Sequence, residues 1–81
     1  MSLFYKRLTE LIESNGKQQK DICKELGIYK QKLSRWKVGY TEPNLDDLIM
    51  LANYFEVTTD YLLGLEDETG TKVKMNFKNQ N

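Results

Sequence analysis

The 81-residue sequence predicts an all-α fold, a compact five-helix domain followed by a short tail. Apolar residues recur at helical spacing through successive runs. Gly16, Gly27, Gly39 and Gly64 stand at the ends of those runs, where a chain leaving a helix turns left-handed. A chain of this length holds one modest core, which favours short packed helices and leaves room for dimerisation.

Phe4, Leu8, Leu11 and Ile12 mark the first helix, and Asn15-Gly16 stops it. Asp21 to Leu26 is a short second helix with Ile22, Cys23 and Leu26 on one side. The third runs from Ile28 to Val38. Pro43 rigidifies the entry to the fourth, Asn44 is a good N-cap, and Asp47 stands three residues on, close to a capping box. Leu45, Leu48, Ile49, Ala52 and Phe55 are its expected apolar stripe. Thr58 can cap the fifth helix, with Val57 and Leu62 at the positions of a hydrophobic staple. The expected organisation is a domain over 1–65 and a tail over 66–81. In the tail Val73, Met75 and Phe77 alternate with Lys72, Lys74, Asn76 and Lys78, which is strand spacing. The tail is either disordered or an edge strand that pairs with its copy, with Val73, Met75 and Phe77 as the dimerising residues.

Several function classes drop out. Histidine is absent and Cys23 is the single cysteine, so the usual zinc ligand sets and His-based triads cannot be assembled. No catalytic cluster is apparent, and neither an enzyme nor a cofactor is expected. No apolar run is long enough to span a bilayer, and the charged start "MSLFYKRLTE" is unlike a signal peptide. A cytoplasmic protein without a membrane partner is expected.

The formal charge is zero, but it is not evenly spread. From Lys17 to Tyr40 there are seven bases against Asp21 and Glu25. From Glu42 to Glu68 there are eight acids and no base. A neutral total hides a basic segment. Within it, "GIYKQKLSRWKVG" crowds Lys30, Lys32, Arg35 and Lys37 together with no acid. Like charges so close repel on a helix. On a helical wheel Leu33 and Trp36 fall on one side, with Tyr29 beside them. Gln31, Ser34, Arg35 and Val38 fall opposite, Lys32 and Lys37 take the flanks, and Lys30 lies between Lys37 and Ser34. That is the shape that enters a DNA major groove, which is about 12 Å wide. Gln pairs with adenine and Arg or Lys with guanine, while flanking lysines meet phosphates and release counterions.

A short helix, the Gly27 turn and this second helix have the arrangement of a helix-turn-helix. Gly16, Gln19, Cys23, Gly27-Ile28, Leu33-Ser34-Arg35-Trp36, Gly39, Pro43 and "VTTDYLLG" follow in order. In these markers the sequence from about Phe4 to Gly64 resembles the phage-repressor (Cro/Xre-type) DNA-binding domain. The resemblance implies a lambda-repressor-like fold from a bacterium, phage or mobile element. It also implies base contacts from Tyr29, Lys30, Gln31, Ser34 and Arg35. It places Gln19 at a phosphate beside Gln18, and brings the Val38–Thr41 segment, with Tyr40, near the backbone. Lys32 and Lys37 join as phosphate contacts from the wheel.

Two positions depart from the family. Gln18 and Tyr29 stand where it usually carries Ser or Thr caps, each typically worth about 1 kcal/mol. Tyr29 either touches DNA or packs inward. Trp36 and Cys23 are expected in the core, and Tyr54, Phe55 and Tyr61 either there or at a partner surface. The acids of 42–68 are expected to lie away from DNA. The expected function is a transcriptional regulator, a repressor binding a palindromic operator as a homodimer, with double-stranded DNA as partner and with any inducer or antagonist acting through a protein partner or through concentration. The alternative is an antitoxin-like module whose main partner is another protein.

Overall fold

In the computed structural model, which describes residues 2–73, five helices follow in order: α1 (Leu3–Asn15), α2 (Gln19–Leu26), α3 (Lys30–Val38), α4 (Leu45–Phe55) and α5 (Thr59–Leu63). The fold is all-α, as the sequence predicts. Among the described residues the only β feature is an isolated Glu66–Lys72 bridge. Leu8, Cys23, Leu33, Trp36, Leu51, Ala52 and Leu62 form one buried cluster, drawn from all five helices. Phe4 meets Trp36 edge to face at 5.7 Å between ring centres.

The helix boundaries follow from local chemistry. Gly27 takes φ 72°, and the N–H of Ile28 then donates to the Cys23 carbonyl at 3.0 Å. Ile28 therefore belongs to the turn closing α2, and α3 starts at Lys30, later than periodicity alone places it. At its other end α2 starts earlier than Asp21, because Gln18 is extended and its carbonyl accepts the Ile22 N–H at 3.1 Å. Neither Gln18 nor Tyr29 makes a side-chain cap bond. Asn44 does: its Oδ1 accepts the Asp47 N–H at 2.7 Å, and Asp47 Oδ2 accepts the Asn44 N–H at 3.0 Å. This is the capping box. Thr58 Oγ1 accepts the Tyr61 N–H at 3.0 Å to cap α5, and Leu62 is fully buried.

The α4 stripe differs from the expected one. Leu45 is 77% exposed and Ile49 54% exposed. Leu48, Leu51 and Ala52 are buried, with Phe55 packed against the core. The helix has more apolar residues than one face can bury, and it is seated with Asp47 turned inward. Gly64, at φ 86°, lets α5 end against α1: a Cβ there would stand 2.7 Å from Leu3 Cδ2.

Residues beyond α5 fold back. The Val73 N–H donates to the Leu65 carbonyl at 2.9 Å and the Asp67 N–H to that of Thr71 at 2.8 Å. Asp67 Oδ1 organises the bend by accepting from the Thr69 hydroxyl and from the Thr69 and Thr71 N–H groups. These bonds, the Thr69 hydroxyl foremost, hold the Asp67 carboxyl below its usual pKa. Arg7 Nη1 donates to the Tyr61 carbonyl and, at 2.6 Å, to that of Glu66. Arg7 thus ties Glu66 to the domain, residues 68–73 stay exposed, and the Val73 N–H is bonded within its own chain. Met75 and Phe77 lie outside the described residues.

Lys17, Glu25 and Tyr54 link the start of α2, its end and α4. Lys17 Nζ donates to both Glu25 oxygens (3.0 and 2.8 Å), and Tyr54 donates to Glu25 Oε1 at 2.9 Å. The Lys17 bond first, then the Tyr54 bond, hold Glu25 below its ordinary 4.5.

Two stability predictions come from these contacts. Gln18→Ser supplies the missing cap and should stabilise the domain by about 0.5–1 kcal/mol in denaturant melts. Glu25 ionises more easily folded than unfolded, so its contribution is present at neutral pH and is lost as pH falls from 4.5 through the lowered value. Glu25→Gln should therefore lower Tm at pH 7, with the gap to the wild type closing in acid.

Candidate nucleic-acid interface

Helix α3 is held by its buried side. Leu33 and Trp36 are both almost fully buried, three residues apart on the face turned to the core, where Trp36 meets Phe4 of α1. Everything opposite must then face out. Lys30, Gln31, Ser34, Arg35 and Lys37 are all exposed. Tyr29 is 79% exposed, which leaves core packing no part in its role. It precedes α3 in extended conformation (φ −88°, ψ 152°), so the wheel that set it beside Leu33 does not apply to it.

The end of α3 sets the next segment. Gly39 takes φ 78°, and the Tyr40 N–H donates to the Arg35 carbonyl at 2.9 Å. This fixes Tyr40, itself 77% exposed, just past the last turn of α3. Gln18 and Gln19 are exposed at the start of α2. Over the helix-turn-helix corner, Gln19, Tyr29 and Lys30 line one shallow concavity together with Lys20 and Lys24. The sequence reading did not single out those two lysines, although their four-residue spacing on α2 could have done so. Among the described residues Lys20, Lys24, Lys30, Arg35 and Lys37 have no ion-pair partner. Their charges are uncompensated and point to solvent.

Lys32 is different. Its Nζ lies 3.0 Å from Asp47 Oδ1. The acids of residues 42–68 do not all stand apart from the basic helix, contrary to what their segregation in sequence predicts. Glu42 and Asp47 line a groove beside Gln31, Lys32 and Arg35. The connection between α3 and α4 is short, so α4 must begin next to the helix it follows.

Cys23 is buried, and burial pushes its thiol above the usual range, which suits packing rather than reactivity. Among the described residues no His, Cys, Asp and Glu group could hold a metal, and no helix is long and apolar enough to cross a membrane.

Two helices joined by a tight glycine turn, the second buried on one face and cationic on the other, define a helix-turn-helix domain. The chain matches the Helix-turn-helix family over residues 8–62, and it belongs to that family. It is 37% identical over 75 residues to the HTH-type transcriptional regulator ImmR of Bacillus subtilis, covering 93% of this chain and 58% of that protein. It is 38% identical over 65 residues to the HTH-type transcriptional regulator AnsR of the same organism (80% and 56%). It is 28% identical over 64 residues to the HTH-type transcriptional activator BcrR of Enterococcus faecalis (79% and 31%). The chain therefore spans a little over half the length of ImmR and AnsR and about a third of BcrR.

Proposed function

We propose that this protein is a sequence-specific DNA-binding transcriptional regulator, a repressor that binds a palindromic operator as a homodimer with α3 in the major groove. The observation that carries the reading is the outward face of α3, where Lys30, Gln31, Ser34 and Arg35 stand exposed on a helix anchored through Leu33 and Trp36. With Tyr29 they read base edges, Gln31 and Arg35 through paired hydrogen bonds. Gln18, Gln19, Lys37 and Tyr40 meet phosphates on either side. ImmR and AnsR, named as transcriptional regulators, support the class. One such helix reads few base pairs, so specificity calls for two copies on half-sites about one helical turn apart. Occupying a promoter is enough to block polymerase, which is the simplest action for a domain of this size.

Selection of bound sequences from a random duplex pool, at near-physiological salt, tests this directly. A palindrome is expected; a well-folded chain that enriches nothing overturns the reading and leaves a protein-binding module. On the selected site Arg35→Ala should cost about 1–3 kcal/mol and relax preference at one base pair. An equal loss on random DNA would limit Arg35 to phosphate. Lys37→Ala should weaken all sequences alike and lower the salt slope by roughly one. Deleting residues 74–81 removes Met75 and Phe77 while sparing the 65–73 bend. It should convert dimers to monomers in sedimentation; a truncated chain that stays dimeric places the interface elsewhere.

A further inference from the structure

One lysine of α3 is held apart from the others. Lys32 Nζ is 3.0 Å from Asp47 Oδ1, and the other carboxylate oxygen accepts the Asn44 N–H at 3.0 Å. Asp47 is only 7% exposed, and the Lys32 side chain is 39% exposed. The ammonium also lies 5.8 Å from the centre of the Trp36 ring, over the residue that anchors α3. Both oxygens of a buried carboxylate are thus engaged, one by the capping box of α4 and one by the recognition helix.

We propose that Lys32 is a positioning residue. It pins α3 to the first turn of α4 and so sets the seat from which its neighbour Gln31 and, one turn on, Arg35 meet DNA. It is not one of the phosphate contacts, although its place on the wheel made it one of the expected set. Drawing the ammonium to a phosphate would strand the Asp47 charge in a nearly closed site, which is costly. A side chain that stays with Asp47 releases no counterion from DNA, so it adds nothing to the salt dependence of binding. The inference rests on the DNA-reading role proposed for α3, and salt dependence is the property that separates it from a phosphate contact.

The test uses the full chain with Lys32→Met, which keeps an unbranched side chain and removes the charge, with Lys32→Arg, Asp47→Asn and the Lys32→Met/Asp47→Asn double variant. Binding is measured on the selected operator and on a random duplex over a salt series, and thermal melts are recorded without DNA. Lys32→Met should leave the salt slope unchanged and lose roughly three- to tenfold on the operator but little on the random duplex. Lys32→Arg should restore operator binding. In the melts, the double variant should lose less than the sum of the single losses, because both break one pair. A slope lowered by about one, with equal losses on both duplexes, makes Lys32 a phosphate contact and overturns the proposal. Additive melts overturn it as well, since the pair then does not act in solution. A wild type that binds no duplex overturns the regulator reading, and this role with it; coupled melts beside that result locate the failure in the reading of function rather than in the ion pair.

Discussion

The burial of Trp36 with Leu33 is the constraint on which the rest of the molecule depends. A nine-residue helix carrying three lysines and an arginine has little stability of its own, because short helices are marginal and like charges on one helix repel. Each repulsive pair costs a few tenths of a kcal/mol, whereas truncating a buried tryptophan typically costs about 3–5 kcal/mol. The apolar contact therefore wins, and the charges are displayed at an angle the core dictates. Phe4, meeting Trp36 edge to face, makes the seat of α3 partly a property of α1.

A second set of ties closes the far end of the domain. Arg7 lies 4.2 Å from the centre of the Tyr61 ring and donates to the carbonyls of Tyr61 and Glu66. Lys72 pairs with Asp60, and Glu66 accepts from the Thr58 hydroxyl. These bonds bring the segment after Gly64 back onto α1 and α5. The change in composition near residue 65 thus marks where helices stop, and the chain turns back through the Asp67 bend to the Glu66–Lys72 bridge. Acid and base in that segment serve one another at close range, leaving the uncompensated cations concentrated on α2 and α3.

The outward basic face of α3 was legible in sequence because it needs only one period and one anchor. Once Leu33 and Trp36 are inside, Gln31, Ser34 and Arg35 are outside whatever else the chain does. Tyr29 was not legible, because a wheel treats every residue as helical and Tyr29 has extended backbone. The α4 stripe failed for another reason. Leu45, Ile49 and Leu51 are equivalent as apolar residues, and only the neighbours that α4 meets decide which of them is covered. Asp47 was read correctly as a cap, but its second oxygen had a partner that no local pattern shows.

By itself the sequence determined five helices, the glycine ends of four of them, the Asn44–Asp47 and Thr58 caps, and a basic outward face on α3. Each depends on residues within one or two helical turns of one another, where spacing is geometry. Only the tertiary structure decided that Lys32 turns to Asp47 fifteen residues away, that Arg7 reaches Tyr61 across fifty-four, and that Leu45 and Ile49 stay in water. Those outcomes depend on which surfaces meet when the helices pack, and partners that distant leave no periodic signal along the chain.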